Sequence, residues 1–216
     1  MERRKKPLNK LVILPLVIGS LLIGYSGYAL LKWHKATTGV APEISDQTTT
    51  YTDPNPSEVK PECQDYKVPD DKPRYINLPT IEASGCIIKV GVDQHNAIAA
   101  PASIYLAGWY TGSALPGSEG VSLIDGHVSG KYSDGIFKHI KNLKPADEFS
   151  VEFGDGSKKQ FEVVSVNSYS INDSKDFMLR QDSNISNQLN LITCTGSFDK
   201  QSQQYEQRVI VVSKSK

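Results

Sequence analysis

The uncharged segment at residues 11–31 constrains this chain more than any other feature of its 216 residues. It runs for 21 residues without a charge, which is close to the roughly 20 apolar residues that a helix needs to cross about 30 Å of hydrocarbon. Its proline and glycines would weaken a soluble helix, but transmembrane helices tolerate them. The segment therefore predicts one transmembrane helix, and only the residues after it remain to build a folded domain.

The residues on either side of this segment predict its orientation. Residues 1–10 carry five Lys or Arg and one Glu, and basic flanks of this kind stay in the cytoplasm. A cleavable signal peptide has a similar start, but here the apolar run is long and no convincing small-x-small cleavage site follows it. We expect a cytoplasmic N-terminus, an uncleaved single-pass anchor in the cell membrane at residues 11–31, and an extracellular remainder.

The formal net charge of zero is an average over two unlike parts. Residues 1–35 hold seven Lys or Arg and one Glu, which leaves 17 basic and 23 acidic residues, a net charge of −6, for the exterior part. Surfaces that bind nucleic acid are basic, so an acidic exterior argues against nucleic acid as a partner. The sequence shows no His, Cys and carboxylate cluster with zinc-site spacing, and we expect neither a metal nor another cofactor.

Composition separates an extended segment from a folded domain. Residues 32–73 contain half of the twelve prolines and show no apolar periodicity, which predicts an extracellular stalk rich in Pro, Ser and Thr. A flexible chain of about 40 residues spans roughly 35 Å. The alternative for the last ten residues is an arm that packs on the domain through Tyr66 and Val68. The remaining residues, 74–216, form the predicted catalytic domain.

Short apolar stretches bounded by Gly, Pro, Asn and Asp recur from Arg74 onward and predict an all-β domain. Gly154-Asp155-Gly156 is the clearest hairpin turn. Apolar residues at helical spacing occur at 136–143, where we expect one or two helical turns. Eight strands in about 140 residues favour a closed barrel or a sandwich. The predicted strands are 75–78, 86–90, 104–108, 121–127, 149–153, 160–169, 189–194 and 208–212.

Three cysteines in an oxidising compartment leave at least one thiol without an intramolecular partner. Cys63 and Cys86 have 22 residues between them, a spacing that permits a disulfide, and the sequence leaves open whether they pair. Cys194 ends a predicted strand, where a side chain is held rigidly yet is open to substrate, as a nucleophile requires. A buried structural thiol is the alternative, because reactivity needs an electropositive neighbourhood that spacing does not reveal.

Two other side chains have the chemistry that a thiol nucleophile needs. His127 ends another predicted strand and stands between glycines; a histidine beside a thiol can hold it as the thiolate and return the proton to a leaving amine. Arg208 begins the last apolar strand, fourteen residues after Cys194. A returning antiparallel strand would bring its guanidinium close to the sulfur, where it could stabilise an oxyanion. Taken singly, each is more often a surface or packing residue.

The three residues lie in motifs that resemble the sortase family. Leu191-Ile192-Thr193-Cys194 is similar to the sortase Leu-x-Thr-Cys signature, and an arginine heads a Val-rich strand at the usual distance after it. Other segments resemble the small sortases of actinobacterial type, classes E and F, and the resemblance covers about residues 74–214. These segments are Gly108-Trp109-Tyr110, Leu115-Pro116-Gly117, Gly126-His127-Val128, Gly135-Ile136-Phe137, Leu143-Lys144-Pro145 and Asp147-Glu148.

The resemblance implies an all-β fold, namely the eight-stranded sortase β-barrel with short helices. It also implies a cysteine transpeptidase that cleaves a Leu-Pro-x-Thr-Gly-like sorting signal between Thr and Gly through a thioacyl-enzyme and passes the acyl group to a cell-wall amine. Cys194 would be the nucleophile, His127 the acid and base, and Arg208 the oxyanion stabiliser. The expected partners are secreted proteins with the sorting signal, a peptidoglycan precursor or other amine acceptor, and the cytoplasmic membrane. Expected substrate contacts are Trp109, Tyr110 and Thr193.

Two positions depart from the family pattern. Asp125 replaces the small residue that is common two positions before the histidine, and Ala146 replaces a common glycine; both bear on substrate preference more than on the chemistry. Two other functions fit the same residues. One is a hydrolase in which water resolves the thioester, and the other is a membrane-tethered binding module in which Cys194 is buried.

Overall fold

The computed structural model describes residues 60–63, 66–93, 97–130, 132–202 and 204–216. The predicted transmembrane segment at 11–31 and most of the predicted stalk lie outside these residues. Among the residues that the structure does describe, no helix is long and apolar enough to cross a membrane.

Eight strands form a closed barrel within the described part of the chain. They are β1 (Pro73–Leu78), β2 (Ala83–Val90), β3 (Ala107–Tyr110), β4 (Gly120–Gly126), β5 (Glu148–Phe153), β6 (Lys158–Ser170), β7 (Asn187–Asp199) and β8 (Gln204–Ser215). Their order around the barrel is β1-β2-β3-β4-β7-β8-β6-β5. Two neighbouring pairs, β2 with β3 and β4 with β7, are parallel, and the other pairs are antiparallel.

The prediction of an eight-stranded all-β barrel is confirmed, and each predicted strand overlaps an observed one. The turn at Gly154-Asp155-Gly156 joins β5 to β6 as expected. The third strand was placed too early, because residues 104–106 are irregular and β3 begins at Ala107. Strands β7 and β8 run beyond their predicted limits, since the polar residues that follow Cys194 continue the ladder with the residues that precede Arg208.

One helix was not predicted. The helix α1 (Ile171–Phe177) follows β6 and has a single buried residue, Ser174, so its sequence carries no apolar stripe of helical spacing. Its first turn is held by a capping contact, in which the Asp173 amide donates to Ser170 Oγ at 3.1 Å. The predicted helical turns at 136–143 appear as turns followed by the 3-10 helix Ile140–Asn142, and a second 3-10 helix spans Pro79–Ile81.

The barrel interior is filled by aromatic and branched side chains. Phe137, Phe149 and Phe161 are fully buried there, and the rings of Phe149 and Phe161 stack with centroids 5.3 Å apart. Side chains alternate between the two faces of a strand, and Leu189 and Leu191 of β7 belong to this interior cluster. The alternate residues of β7, which include Ile192 and Cys194, therefore lie on the outer face of the barrel wall.

The segment that precedes β1 is fastened to the barrel. Cys63 and Cys86 form a disulfide with Cα atoms 5.3 Å apart, which answers the question that the sequence left open. Arg74 Nη1 donates to the Cys63 carbonyl at 3.3 Å, and Tyr66 packs against the outer cluster of Cys86 and its neighbours on β2. The Gly154 amide donates to the Lys72 carbonyl at 3.0 Å. The described residues just before β1 thus form an arm that packs on the domain, which was the alternative prediction for the last ten residues of the stalk.

We predict that reducing the Cys63–Cys86 disulfide lowers the free energy of unfolding by roughly 3 kcal/mol, because the bond closes a loop of 23 residues in the unfolded chain. The measurement is urea unfolding with and without reductant, on a Cys194→Ala background that removes the remaining thiol. A Cys63→Ala control, which cannot form the bond, should not respond to reductant. An intact mass of the wild-type chain that is unchanged by reduction would show three free thiols and contradict the prediction.

Candidate active site

Strands β4, β7 and β8 bring the three predicted site residues into one row on the outer face of the barrel. Cys194 of β7 lies directly opposite Arg208 of β8 in the antiparallel register. On the other side, β7 runs parallel to β4, and Asp125 pairs with Ile192. Two residues further along both strands, His127 comes level with Cys194. All three line the same groove.

The sequence predicted Cys194 at a strand end, but the structure places it inside the pair of β7 and β8. β7 continues to Asp199, and its pairing with β8 shifts register between Thr195 and Phe198. The extension is held in part by the edge-on contact of the Phe198 and Tyr205 rings, 5.1 Å apart. The thiol is partly exposed, so the alternative of a fully buried structural cysteine does not describe it. His127 is the first residue after β4, which ends at Gly126.

Thr193 connects the two parallel strands beside the thiol. Its Oγ1 donates to the Gly126 carbonyl at 2.7 Å, and the residue is 5% exposed. Gly126 itself is required by close packing, since a Cβ there would lie 2.7 Å from the Phe137 ring. Thr193 lines the space around Cys194, but its hydroxyl is occupied in holding the end of β4, and with it His127, against β7.

The imidazole of His127 is oriented by the backbone. Its Nε2 lies 2.7 Å from the Pro101 carbonyl, and because a carbonyl oxygen only accepts, Nε2 carries the proton in this arrangement. The His127 carbonyl accepts from the Phe137 amide at 3.0 Å. The residue is therefore held on both sides, by the loop before β3 and by the buried turn at Phe137.

Three influences act on the thiol. Burial raises the pKa of Cys194, the Arg208 guanidinium lowers it, and the Asp125 carboxylate raises it. Arg208 is held in place by its Nη1, which donates to the Tyr205 carbonyl at 3.2 Å and the Gln207 carbonyl at 3.0 Å. Since burial is the largest of the three influences, the free protein keeps Cys194 mainly as the thiol at neutral pH, and Arg208 is the group that favours the thiolate.

A groove of about 540 Å³ runs from Cys194 along the outer face of β4 and β7. Most of its lining is apolar, as suits an extended peptide with few charges. Its floor is formed by Leu123, Asp125 and Ile192. One wall is α1 with the turn after it, and the other is the loop at residues 97–100. The side chains of these walls include Ile98, Ile171, Ser174, Lys175 and Met178.

A second cavity, of about 390 Å³, opens on the other side of the thiol. It shares Thr193 and Cys194 with the groove. Its remaining lining is more polar and basic than that of the groove. These residues are Val128, Lys138, His139, Lys141, Thr195, Gly196, Tyr205 and Val209. Cys194 thus stands where two separate spaces meet.

Trp109 and Tyr110 do not lie where the sequence predicted. Trp109 is 5% exposed in the barrel interior, and its Nε1 donates to the Ala114 carbonyl at 3.0 Å. Tyr110 packs against the outer cluster of β2 that contains Cys86. Neither residue lines the groove or the second cavity, because the alternation along the short strand β3 directs Trp109 inward. The expectation that these two rings contact substrate is not supported by their positions.

Asp125 is the residue on the groove floor whose environment the sequence did not reveal. Its Oδ1 is buried and has no hydrogen-bond partner among the described residues, and burial raises the pKa of this carboxyl well above its usual range. Gly108 lies opposite it on β3, and a Cβ at position 108 would clash with Asp125 Oδ1. The glycine therefore makes room for the carboxyl.

A closed barrel with a cysteine, a histidine and an arginine in one row defines the class of protein: a β-barrel with the residues of a cysteine transpeptidase. The chain belongs to the sortase family, since the model of the Sortase domain matches residues 76–216, which span the barrel. This confirms the family that the motifs predicted.

Several solved sortase structures are similar to this chain. Sortase A from Corynebacterium diphtheriae is 26% identical, with a TM-score of 0.51 over 67% of this chain and 60% of that chain. Its lid mutant gives a TM-score of 0.53 over 71% and 73% of the two chains. The match thus spans three-fifths of the first structure's length. Sortase C1 from Streptococcus agalactiae, at 18% identity and a TM-score of 0.50 over 69% of both chains, shares the fold alone. No curated protein sequence gives a significant match.

We predict that Asp125→Asn stabilises the protein increasingly as the pH rises above about 4. The unfolded chain releases the carboxyl proton near its usual pKa of about 3.9, while the folded chain still holds it, so the free energy of unfolding of the wild type falls as the pH rises through this range. The amide has no proton to lose, and the advantage of the variant stops growing once the folded carboxyl ionises.

The measurement is urea unfolding of both proteins at a series of pH values. Asp155→Asn is a control of opposite sign, because hydrogen bonds from Ser157 lower the pKa of Asp155 and the stability that this carboxylate contributes is lost as the pH falls. A difference between Asp125→Asn and the wild type that stays constant with pH would contradict the prediction.

Proposed function

We propose that the chain is a membrane-anchored sortase that cleaves a Leu-Pro-x-Thr-Gly-like sorting signal between Thr and Gly and transfers the acyl part to a cell-wall amine. The observation that carries the proposal is the placement of Cys194 directly opposite Arg208, level with His127, at the end of a long apolar groove. The partners of this reaction are secreted proteins that bear the signal and a peptidoglycan precursor or other amine acceptor.

In the first half-reaction His127 takes the proton of the Cys194 thiol, the resulting thiolate attacks the carbonyl carbon of the Thr residue, and a tetrahedral oxyanion forms. The Arg208 guanidinium on the neighbouring strand stabilises this oxyanion by donating hydrogen bonds to it. His127 then protonates the leaving amine of Gly, the C–N bond breaks, and a thioester between the peptide and Cys194 remains.

In the second half-reaction an amine of the acceptor attacks the thioester. His127 takes the proton of this amine, the new amide bond forms, and the Cys194 thiolate leaves. The two spaces that meet at Cys194 support this sequence, because the apolar groove takes the acyl donor and the second cavity leaves the opposite side of the thioester accessible.

We extend the proposal to location and subtype. The anchor at residues 11–31, the stalk and an extracellular catalytic domain rest on the sequence pattern, and the Cys63–Cys86 disulfide supports an oxidising compartment outside the cytoplasm. The class E or F type rests on the sequence motifs of residues 74–214. Partial exposure of Cys194 argues against the rival binding module with a buried cysteine.

We expect Cys194→Ala to abolish peptide cleavage and leave the fold intact, because it removes the nucleophile but only a small, partly exposed side chain. Cleavage of a Leu-Pro-x-Thr-Gly peptide with an added amine measures the activity, and intact mass detects the thioacyl adduct on the wild type alone. Ser197→Ala, an exposed change on the same strand, is the control and should keep full activity. Turnover by the alanine variant would end the sortase proposal.

Arg208→Lys separates charge from geometry at the oxyanion. Lysine keeps the positive charge but loses the planar fork of donors, so we expect cleavage to fall by a factor on the order of a hundred or more, as for a removed oxyanion donor. Alkylation of Cys194 should change much less, because that reaction forms no oxyanion and the charge that lowers the thiol pKa remains.

The measurement compares the two rates in each variant. Arg180→Lys is the matched control, since Arg180 lies over the Phe177 ring and does not line the groove. Near-normal cleavage by Arg208→Lys would remove Arg208 from the mechanism. A parallel collapse of both rates would mean that Arg208 acts on the thiol and not on the oxyanion.

A further inference from the structure

We propose that Asp125 determines substrate specificity. Its carboxyl accepts a hydrogen bond from a polar side chain of the sorting peptide, and this side chain lies about two residues on the N-terminal side of the residue that supplies the scissile carbonyl. The inference rests on the proposed function, because it names a feature of the peptide that the same groove takes. It adds to a Leu-Pro-x-Thr-Gly-like signal a donor group at the position of Leu or Pro.

The position follows from the register of the strands. Asp125 precedes His127 by two residues on β4, and its partner Ile192 precedes Cys194 by two residues on β7. Two residues of a strand span roughly 6.7 Å. A peptide that lies extended in the groove with its scissile carbonyl at Cys194 has the same rise per residue, so the side chain two residues earlier arrives at the level of Asp125.

The direction of the peptide follows from the two spaces around the thiol. The groove extends from Cys194 toward the start of β4 and contains Asp125 in its floor. The second cavity lies beyond the row of His127 and Cys194 and does not include Asp125. The acyl part of the substrate, which stays bound after cleavage, therefore passes over Asp125.

The Asp125 carboxyl lies in the groove floor, and one of its two oxygens has no hydrogen-bond partner among the described residues. Asp125 Oδ1 is buried and accepts no hydrogen bond within the described residues. The atoms next to it over Gly108 belong to the apolar side chains of Val90 and Pro101. A buried acceptor without a donor is costly, and such groups in native proteins mark positions that have a role other than stability. Oδ1 itself has no exposed surface, but Asp125 lines the groove, so a substrate donor can meet this carboxyl from the groove side.

The carboxyl also connects recognition to attack. Asp125 raises the pKa of the Cys194 thiol when it carries its charge. A cationic donor on the peptide offsets that charge while the peptide occupies the groove. Binding of a peptide with such a donor thus relieves an influence that disfavours the thiolate.

The test uses pairs of peptides that differ only in the presence of a donor. The Leu or the Pro of a Leu-Pro-x-Thr-Gly peptide is replaced by Thr or Val, by Asn or Leu, and by Lys or Met. Cleavage is measured with the full chain, and binding is measured with the full chain carrying Cys194→Ala. We expect the donor-bearing member to be bound and cleaved at least about tenfold better at one of these positions.

Three variants decide whether Asp125 is responsible. Asp125→Ala should reverse the preference in favour of the apolar member of each pair. Asp125→Asn should keep the preference for Thr and Asn, because its amide oxygen still accepts, but lose the preference for Lys. Glu119→Ala, which removes an exposed acid just before β4, should leave the ranking of the wild type unchanged.

The outcomes separate this inference from the proposed function. An identical peptide ranking for the wild type and Asp125→Ala, in both binding and cleavage, overturns the inference while cleavage by Cys194 still supports the function. Discrimination in binding that depends on Asp125, without any cleavage, supports the inference and overturns the function. Absence of both binding and cleavage across the whole set overturns both.

Discussion

The parallel pairing of β4 with β7 is the contact on which the site depends. These strands are separated by about sixty residues in the sequence, and their register places Asp125 beside Ile192. Everything that follows along the two strands is fixed by this match, including the position of His127 beside Cys194. The hydrogen bond from Thr193 to the Gly126 carbonyl holds the register at the place where β4 ends.

The same pairing explains why the interior of the barrel matters for chemistry on its exterior. Leu191 and Ile124 face the fully packed core, and such cores tolerate little change in volume. Because side chains alternate along a strand, the buried residues Leu191 and Thr193 that precede Cys194 fix the face of the barrel from which the thiol projects. The Leu-x-Thr-Cys motif thus combines a core residue, a strand brace and an outward thiol in four positions.

The sequence predicted what depends on local pattern and missed what depends on pairing. All eight strands were found, because each is a short apolar run with turn residues at its ends. α1 was missed, since it is a short, polar, capped helix in which only Ser174 is buried, and it therefore has no apolar pattern in the sequence. Trp109 was expected to contact substrate but lies in the barrel interior, because a shift of one residue in a strand exchanges its two faces and the sequence does not fix the register of a strand of only four residues. Asp125 was noticed as a departure, but its burial depends on Gly108, which lies on another strand.

The electrostatics of the groove favour a thiol that becomes reactive when the site is occupied. Burial and Asp125 raise the pKa of Cys194 and Arg208 lowers it, so the free protein holds a mainly neutral thiol, which reacts more slowly with oxidants and alkylating reagents than a thiolate does. Under the two proposals, a bound peptide places a carbonyl oxygen within reach of Arg208 and a donor at Asp125. Where the Asp125 carboxyl is ionised, a cationic donor offsets its charge and removes one of the influences that raise the pKa of Cys194. Specificity and reactivity then depend on the same residue of the groove floor.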